Sequence, residues 1–262
     1  MTQRILPLEK GHNFRELGGY QTTDGRTLKW HKLLRSANLA HLTDADLNYL
    51  DQYGLRYDID LRSEDEKAKA PDRLPANATY EFLPVFAVDE TANSASQDEL
   101  YQLFSKDPLS GHTRMQKVYD NLINQPHSKQ AYRRFFELLL ANDQDYQTTL
   151  FHCTAGKDRT GMATVFLLSA LNVPAETIQA DYLLTNLASA DFVQKSLQRL
   201  QQKTADQGIY QSVQSLLTVH LDYLQTAQMA IRQESGTIQN YLKTELQLTN
   251  HDLTDLQKIY LM

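Results

Sequence analysis

The stretch FHCTAGKDRTGMATVFLLSA, residues 151–170, gathers the residue types that nucleophilic chemistry needs. It holds the chain's single cysteine, Cys153, followed by Lys157, Asp158 and Arg159, with Gly156 and Gly161 on either side of the charged group. YQTTLFH before it reads as a strand, and the apolar run after it reads as a helix to about Leu171. A strand ending at His152, a turn at Gly156 and a helix beginning near Arg159 place the thiol at a helix N-terminus. Unpaired N–H groups and the positive end of the helix dipole gather there and favour a bound anion. The same field favours a thiolate over a thiol.

Five residues separate Cys153 from Arg159. A loop that short can wrap a phosphoryl group, with N–H groups from Thr154, Ala155, Gly156, Lys157, Asp158 and Arg159 on its oxygens. The arginine fork holds two of those oxygens, and the sulfur lies under the phosphorus, in line with the leaving oxygen. Thr160 is placed to donate to the sulfur and ease its departure. The chemistry expected is covalent: Cys153 takes the phosphoryl group and water removes it. No metal-ligand spacing of histidines or carboxylates appears, so neither metal nor cofactor is expected. A nucleotide loop, G-x-x-x-x-G-K-[ST], is excluded because the basic pair lies between Gly156 and Gly161.

The elements that must hold this loop are legible in outline. Gly18, Gly19, Asp24 and Gly25 mark turns around a β-hairpin that ends near TLKWHKLLRSA. LTDADLNYLDQYG reads as a helix capped by Thr43 and stopped by Gly54. LRYDIDLR alternates Tyr57, Ile59 and Leu61 with Asp58 and Asp60, a strand with two carboxylates on one face. A further strand is expected at residues 79–85. Helices joined by polar loops are expected over 86–142, and helices throughout 174–262. Strands interleaved with helices predict an α/β fold with a small, mainly parallel central sheet flanked by helices. The whole chain, 1–262, is expected to be one domain with rim helices over 174–262.

Composition agrees with an ordinary folded enzyme. Apolar residues make up 41% and charged residues 22%, enough for a sizeable core. A net charge of −6, with no basic stripe, argues against nucleic acid as a partner. No apolar stretch is long enough to span a membrane, and the N-terminus lacks a secretory segment. One cysteine makes no internal disulfide, which fits a reducing, cytoplasmic location; a monomer is expected. Eight acidic residues (Asp44, Asp46, Asp51, Asp58, Asp60, Glu64, Asp65 and Glu66) crowd residues 43–66, and as a block they read as a solvated face.

HCTAGKDRTG resembles the signature loop of the cysteine-dependent protein tyrosine phosphatases, in the GKDRTG form of a bacterial branch with a mycobacterial member. NFRELGGY at 13–20, IDLRSEDE at 59–66 and the C-terminal helices are similar to that branch, and the likeness is weakest over 86–145. The resemblance implies phosphotyrosine on proteins as the leading substrate, with phosphoserine, phosphothreonine and phosphoinositides close behind. It implies that His152 hydrogen-bonds the loop backbone and tunes the thiol. The AGKxR core is similar to that of 3-phosphoinositide phosphatases, which implies that Lys157 recruits a second anionic group. A main activity on such lipids, or a silent phosphate-binding module, are the alternatives.

The general acid is left open. The Trp-Pro-Asp loop of many relatives is absent, since the only tryptophan, Trp30, precedes His31. The resemblance favours Asp158; Asp60, Asp89 and Asp72 are the other candidates, and Asp60 serves equally well to orient Arg159 or Arg35. Two helical patterns within 86–130 have the length of the helical lid that covers the loop in related phosphatases; ordinary rim packing is the other reading.

Overall fold

The strand expected before the cysteine is β5, Thr148–His152, and it runs through the middle of a five-stranded sheet. The structure is a computed structural model that describes residues 4–262. The other strands are β1 (Arg15–Glu16), β2 (Leu33–Ser36), β3 (Leu55–Asp60) and β4 (Thr79–Phe82), in the order β1-β2-β5-β3-β4. Only β1 is antiparallel to its neighbour. The mainly parallel α/β fold is as the sequence predicts.

Register sets the site. His152 sits level with Ser36 on one side and Asp60 on the other, so the carboxyl ends of three parallel strands meet beneath the loop. The strand order reverses beside β5, and open α/β sheets bind ligands at such points. Side chains alternate across the sheet. Leu33, Ile59 and Phe151 enter the larger core, whereas Leu34, Leu55 and Leu150 enter a smaller one. Helix α1 (Asp44–Tyr53) covers the smaller core through Leu50, with Thr43 closing a capping box and Gly54 ending it at φ 101°.

Between β3 and β4 lies α2 (Glu64–Lys69), which begins in a second capping box, Ser63 with Glu66. The span 86–142 folds as α3 (Gln97–Phe104), α4 (Ser110–Asn124) and α5 (Pro126–Ala141). Helix α6 (Arg159–Ala170) is buried along its whole length. Beyond its first turn only Thr164 and Ser169 are polar, as suits a central helix. Around it run α7 (Ala175–Ala188), α8 (Ala190–Gln201), α9 (Gln207–Leu217), α10 (Leu221–Ser235), α11 (Ile238–Thr244) and α12 (Asn250–Tyr260). These late helices do more than line a rim: Tyr223, Tyr241 and Leu256 are fully buried in the same core as α6. Among the described residues no helix is long and apolar enough to cross a membrane.

Candidate active site

Gly156 is where the backbone turns. Its φ is 66°, and a Cβ there would lie 2.2 Å from the Ser36 carbonyl oxygen, so no side chain fits. The carbonyls of the loop are bound from outside. Asn38 donates to Thr154 O from its backbone at 3.2 Å and its side chain at 3.1 Å. Asn13 Nδ2 donates to Ala155 O at 3.0 Å and Gly156 O at 2.9 Å. Arg35 Nη2 donates to Gly156 O at 2.8 Å. In a trans peptide the N–H points opposite to the C=O. Fixing three carbonyls outward therefore turns the amides of Ala155, Gly156 and Lys157 inward.

Behind this brace sits Asp181 of α7, which accepts from Arg15 Nε at 3.1 Å and Arg35 Nη1 at 2.7 Å. Burial alone would raise the Asp181 carboxyl, but Arg15 and Arg35 outweigh it and hold it down at about 2. All three side chains are fully buried.

The first turn of α6 is left open. Asp158 occupies the N-cap position, yet its side chain caps nothing. Its carboxylate instead accepts from Lys157 Nζ at 2.9 and 3.0 Å, from Tyr119 Oη at 3.0 Å and from Asn93 Nδ2 at 3.0 Å. Asp and Asn at N-caps normally satisfy the first free amides; here the side chain leaves them uncapped.

Arg159 projects inward. Its Nη1 meets Glu66 Oε2 at 2.5 Å and its Nη2 meets Glu66 Oε1 at 2.7 Å, so the carboxylate takes the end of the guanidinium. Its Nε is buried without a protein partner, as is the Thr160 hydroxyl. A phosphoryl oxygen on Nε and a thiolate beside Thr160 would satisfy both. Burial opposes the Arg159 charge, but Glu66 outweighs it and keeps the guanidinium firmly protonated. Cys153, Lys157, Asp158 and Arg159 are all sealed from solvent, and Thr91 also reaches Arg159 Nη2 at 3.3 Å. The surface clefts lie elsewhere, one between α6, α7 and α10 and another beside α5.

A family model described as the tyrosine phosphatase family matches residues 6–262. The chain belongs to that family. A protein from Cupriavidus necator named as a tyrosine-protein phosphatase is 34% identical over 251 residues, covering 95% of this chain and 85% of that relative. A tyrosine-protein phosphatase of Nostoc commune is 34% identical over 153 residues, 58% of this chain and 47% of its own. The triple specificity protein phosphatase PtpB of Mycobacterium tuberculosis is 28% identical over 268 residues, 93% of this chain and 94% of its own.

Against this tyrosine phosphatase frame, several expectations need correction. The acidic block of 43–66 is not one solvated face: Asp46, Asp58, Asp60 and Glu66 are buried. Asp60 orients neither Arg159 nor Arg35. It pairs with Arg62 at 2.7 Å and accepts from Tyr80 at 2.8 Å, while Glu66 and Asp181 hold the two arginines. Burial would raise the Asp60 carboxyl, but His152 and Arg62 bring it down to about 2. Asp72 is tied to Arg62 and the Leu39 amide. Asp89 accepts from Thr91 and Ser94, and these donors with Arg159 hold it below the usual carboxylate range despite burial. Asp158 alone of the four adjoins Arg159 in the loop.

His152 meets the Cys153 carbonyl at 3.2 Å through Nδ1. Lys157 does not face solvent; it is buried on Asp158. Asp58, Asp72 and His152 form the one trio of histidine and carboxylates among the described residues with donor atoms within 4.8 Å of one another. Sequence reasoning assigned no role to Glu66, Asn13, Asn93, Tyr119 or Asp181. The Ser63-x-x-Glu66 spacing is a capping-box signal that reveals α2, though not its hold on Arg159.

Proposed function

We propose that this phosphatase works through a cysteinyl-phosphate intermediate without a metal. Cys153 attacks phosphorus, so that an S–P bond forms as the ester P–O bond breaks and the leaving oxygen takes a proton. Water then forms a P–O bond as the S–P bond breaks, releasing inorganic phosphate. Arg159 Nε, its Nη2 edge and the inward amides hold the equatorial oxygens, where charge stabilisation acts in a dry site. Thr160 donates to the departing sulfur. The observation that carries this reading is the uncapped start of α6, with Arg159 Nε lacking a partner and the only thiol at the other end of the loop.

Asp158 serves as the general acid once a substrate displaces the donors now on its carboxylate. Asn93, Thr91 and Tyr119 all come from residues 86–130, and that segment acts as a lid that moves for the phosphoester to enter. Lys157, released from Asp158 in the same step, is free to take a second anionic group. Phosphotyrosine on proteins is the leading substrate, with phosphoserine, phosphothreonine and phosphoinositides following; the triple specificity in the name of the mycobacterial relative supports that breadth.

The test is hydrolysis of an aryl phosphate by wild type and Cys153→Ser, with acid-quenched capture of phosphate on Cys153. Retained turnover in the serine variant would sink the covalent route. Phosphopeptides bearing Tyr, Ser or Thr, beside inositol lipids, then rank the substrates. Lys157→Ala should lower lipid rates more than phosphopeptide rates. Asp158→Asn should slow alkyl phosphates more than activated aryl esters.

A further inference from the structure

Behind the nucleophile lies a group of charges that the phosphoryl chemistry does not use. His152 is fully buried at the end of β5, and its Nε2 faces Asp58 Oδ1 at 3.4 Å, Asp72 Oδ2 at 3.3 Å and Asp60 Oδ1 at 3.8 Å. Asp60 and Asp72 have other donors, chiefly Arg62, with Tyr80 also on Asp60 and the Leu39 amide on Asp72. Asp58 has none. Both its oxygens are buried without a hydrogen-bond partner, as is His152 Nε2, and His152 is the one basic group paired with Asp58 among the described residues.

Each ring nitrogen of His152 thus faces only acceptors. Nδ1 lies on the Cys153 carbonyl, which accepts only, and Nε2 lies among carboxylates. A neutral imidazole carries one N–H and must present a lone pair to one of these sides. With the lone pair toward the carboxylates, Asp58 would be a buried charge with no compensation, which is strongly destabilising. With the lone pair toward Cys153 O, two acceptors would oppose each other. With Asp58 ionised, only the doubly protonated ring satisfies both sides; a neutral ring would need Asp58 to keep a proton and donate it to Nε2, and would set that lone pair against the Asp72 oxygen 3.3 Å away.

We infer that His152 is a standing imidazolium and that Asp58 and Asp72 are its positioning residues, sharing Nε2–H while Nδ1–H fixes the Cys153 carbonyl. The electrostatics run the same way: burial disfavours the His152 charge, but Asp58, Asp60 and Asp72 together raise it well above its ordinary value. Burial also pushes Asp58 up to about 6, with His152 pulling the other way. The groups that face the ring are Asp58 and Asp60 of β3, Asp72 after α2, and Cys153, with Arg62 and Tyr80 holding the outer carboxylates. The nucleophile therefore has a fixed positive charge one residue before it, and His152 supplies no pH limb of its own.

This inference rests on the reading of Cys153 as nucleophile, but its first test does not use turnover. Nitrogen-15 spectra of the wild-type protein should show both His152 nitrogens protonated from pH 6.5 to 8.5; a neutral ring at pH 8.5 overturns the inference. One equivalent of a divalent metal on the purified protein also overturns it, because Nε2 cannot hold an ion and a proton together. In Asp58→Asn/Asp72→Asn the ring should titrate in the ordinary histidine range. The kcat/KM of that variant relative to wild type should then fall about tenfold from pH 6 to pH 8. An equal loss at every pH, or none, is the signature of a merely structural role. Should the double variant not fold, the wild-type spectrum decides alone.

Discussion

Glu66 grips Arg159 end-on, through two contacts of 2.5 and 2.7 Å, and leaves Nε buried without a partner. The carboxylate comes from the first turn of α2, and the same side chain caps that helix through Ser63. One glutamate thus ties a helix start to the arginine proposed to bind phosphate.

Breaking that pair should be costly. Glu66→Gln leaves the buried guanidinium without its counter-charge, and losing one partner of a buried ion pair destabilises by about 3–5 kcal/mol. Denaturant melts of wild type and variant measure this. Competitive inhibition by inorganic phosphate should weaken in parallel, since Arg159 loses its orientation. Unchanged inhibition would mean that Arg159 is oriented by something else.

Asp181 carries a pH signature. Its folded carboxyl sits at about 2 against an ordinary 3.8, so its stabilising effect is present above 3.8 and is lost as pH falls toward 2. The difference corresponds to about 2 kcal/mol at neutral pH. Asp181→Asn should remove this part of the acid transition and lower neutral stability further, because Arg15 and Arg35 are left paired to an amide. Melts at pH 7, 4 and 3 give the comparison.

Tyr119→Phe and Asn93→Ala each remove one donor from Asp158. In the proposed route these donors must leave Asp158 before the phosphoester is seated, so losing one hydrogen bond of about 1 kcal/mol should lower KM for an alkyl phosphate about fivefold in each variant. An unchanged or raised KM in both would mean that the two side chains do not gate the site.

Gly156→Ala tests the turn. The substitution combines a positive φ with a Cβ against the Ser36 carbonyl, and strain of this kind costs about 1–3 kcal/mol. Thermal melts should fall accordingly, and inorganic phosphate should bind more weakly because the amides lose their shared aim.

Local patterns made much of this architecture readable. Thr43 and Gly54 bracket α1, Thr249 caps α12, and the alternation of Tyr57, Asp58, Ile59 and Asp60 marks β3. The strand, glycine turn and helix around Cys153 follow from a switch in hydrophobic period. What could not be read were contacts between distant segments. Asn13 reaches a carbonyl 143 residues away, and Arg35 meets Asp181 across 146 residues. Nothing local to Tyr119 distinguishes it from any other core tyrosine, since only α4 packing brings its hydroxyl to Asp158. The acidic block misled because buried and exposed carboxylates look alike in composition; Asp58 and Glu64 differ only in what lies opposite them.

Strand β5 is paired on both edges and buried at every residue. Its amides should therefore exchange with deuterium only through global unfolding, while those around Asn93 exchange by local opening. A sublethal dose of urea would then loosen the cover of the loop before it disturbs the loop itself. Mild denaturant should speed alkylation of Cys153 well before the helical signal falls.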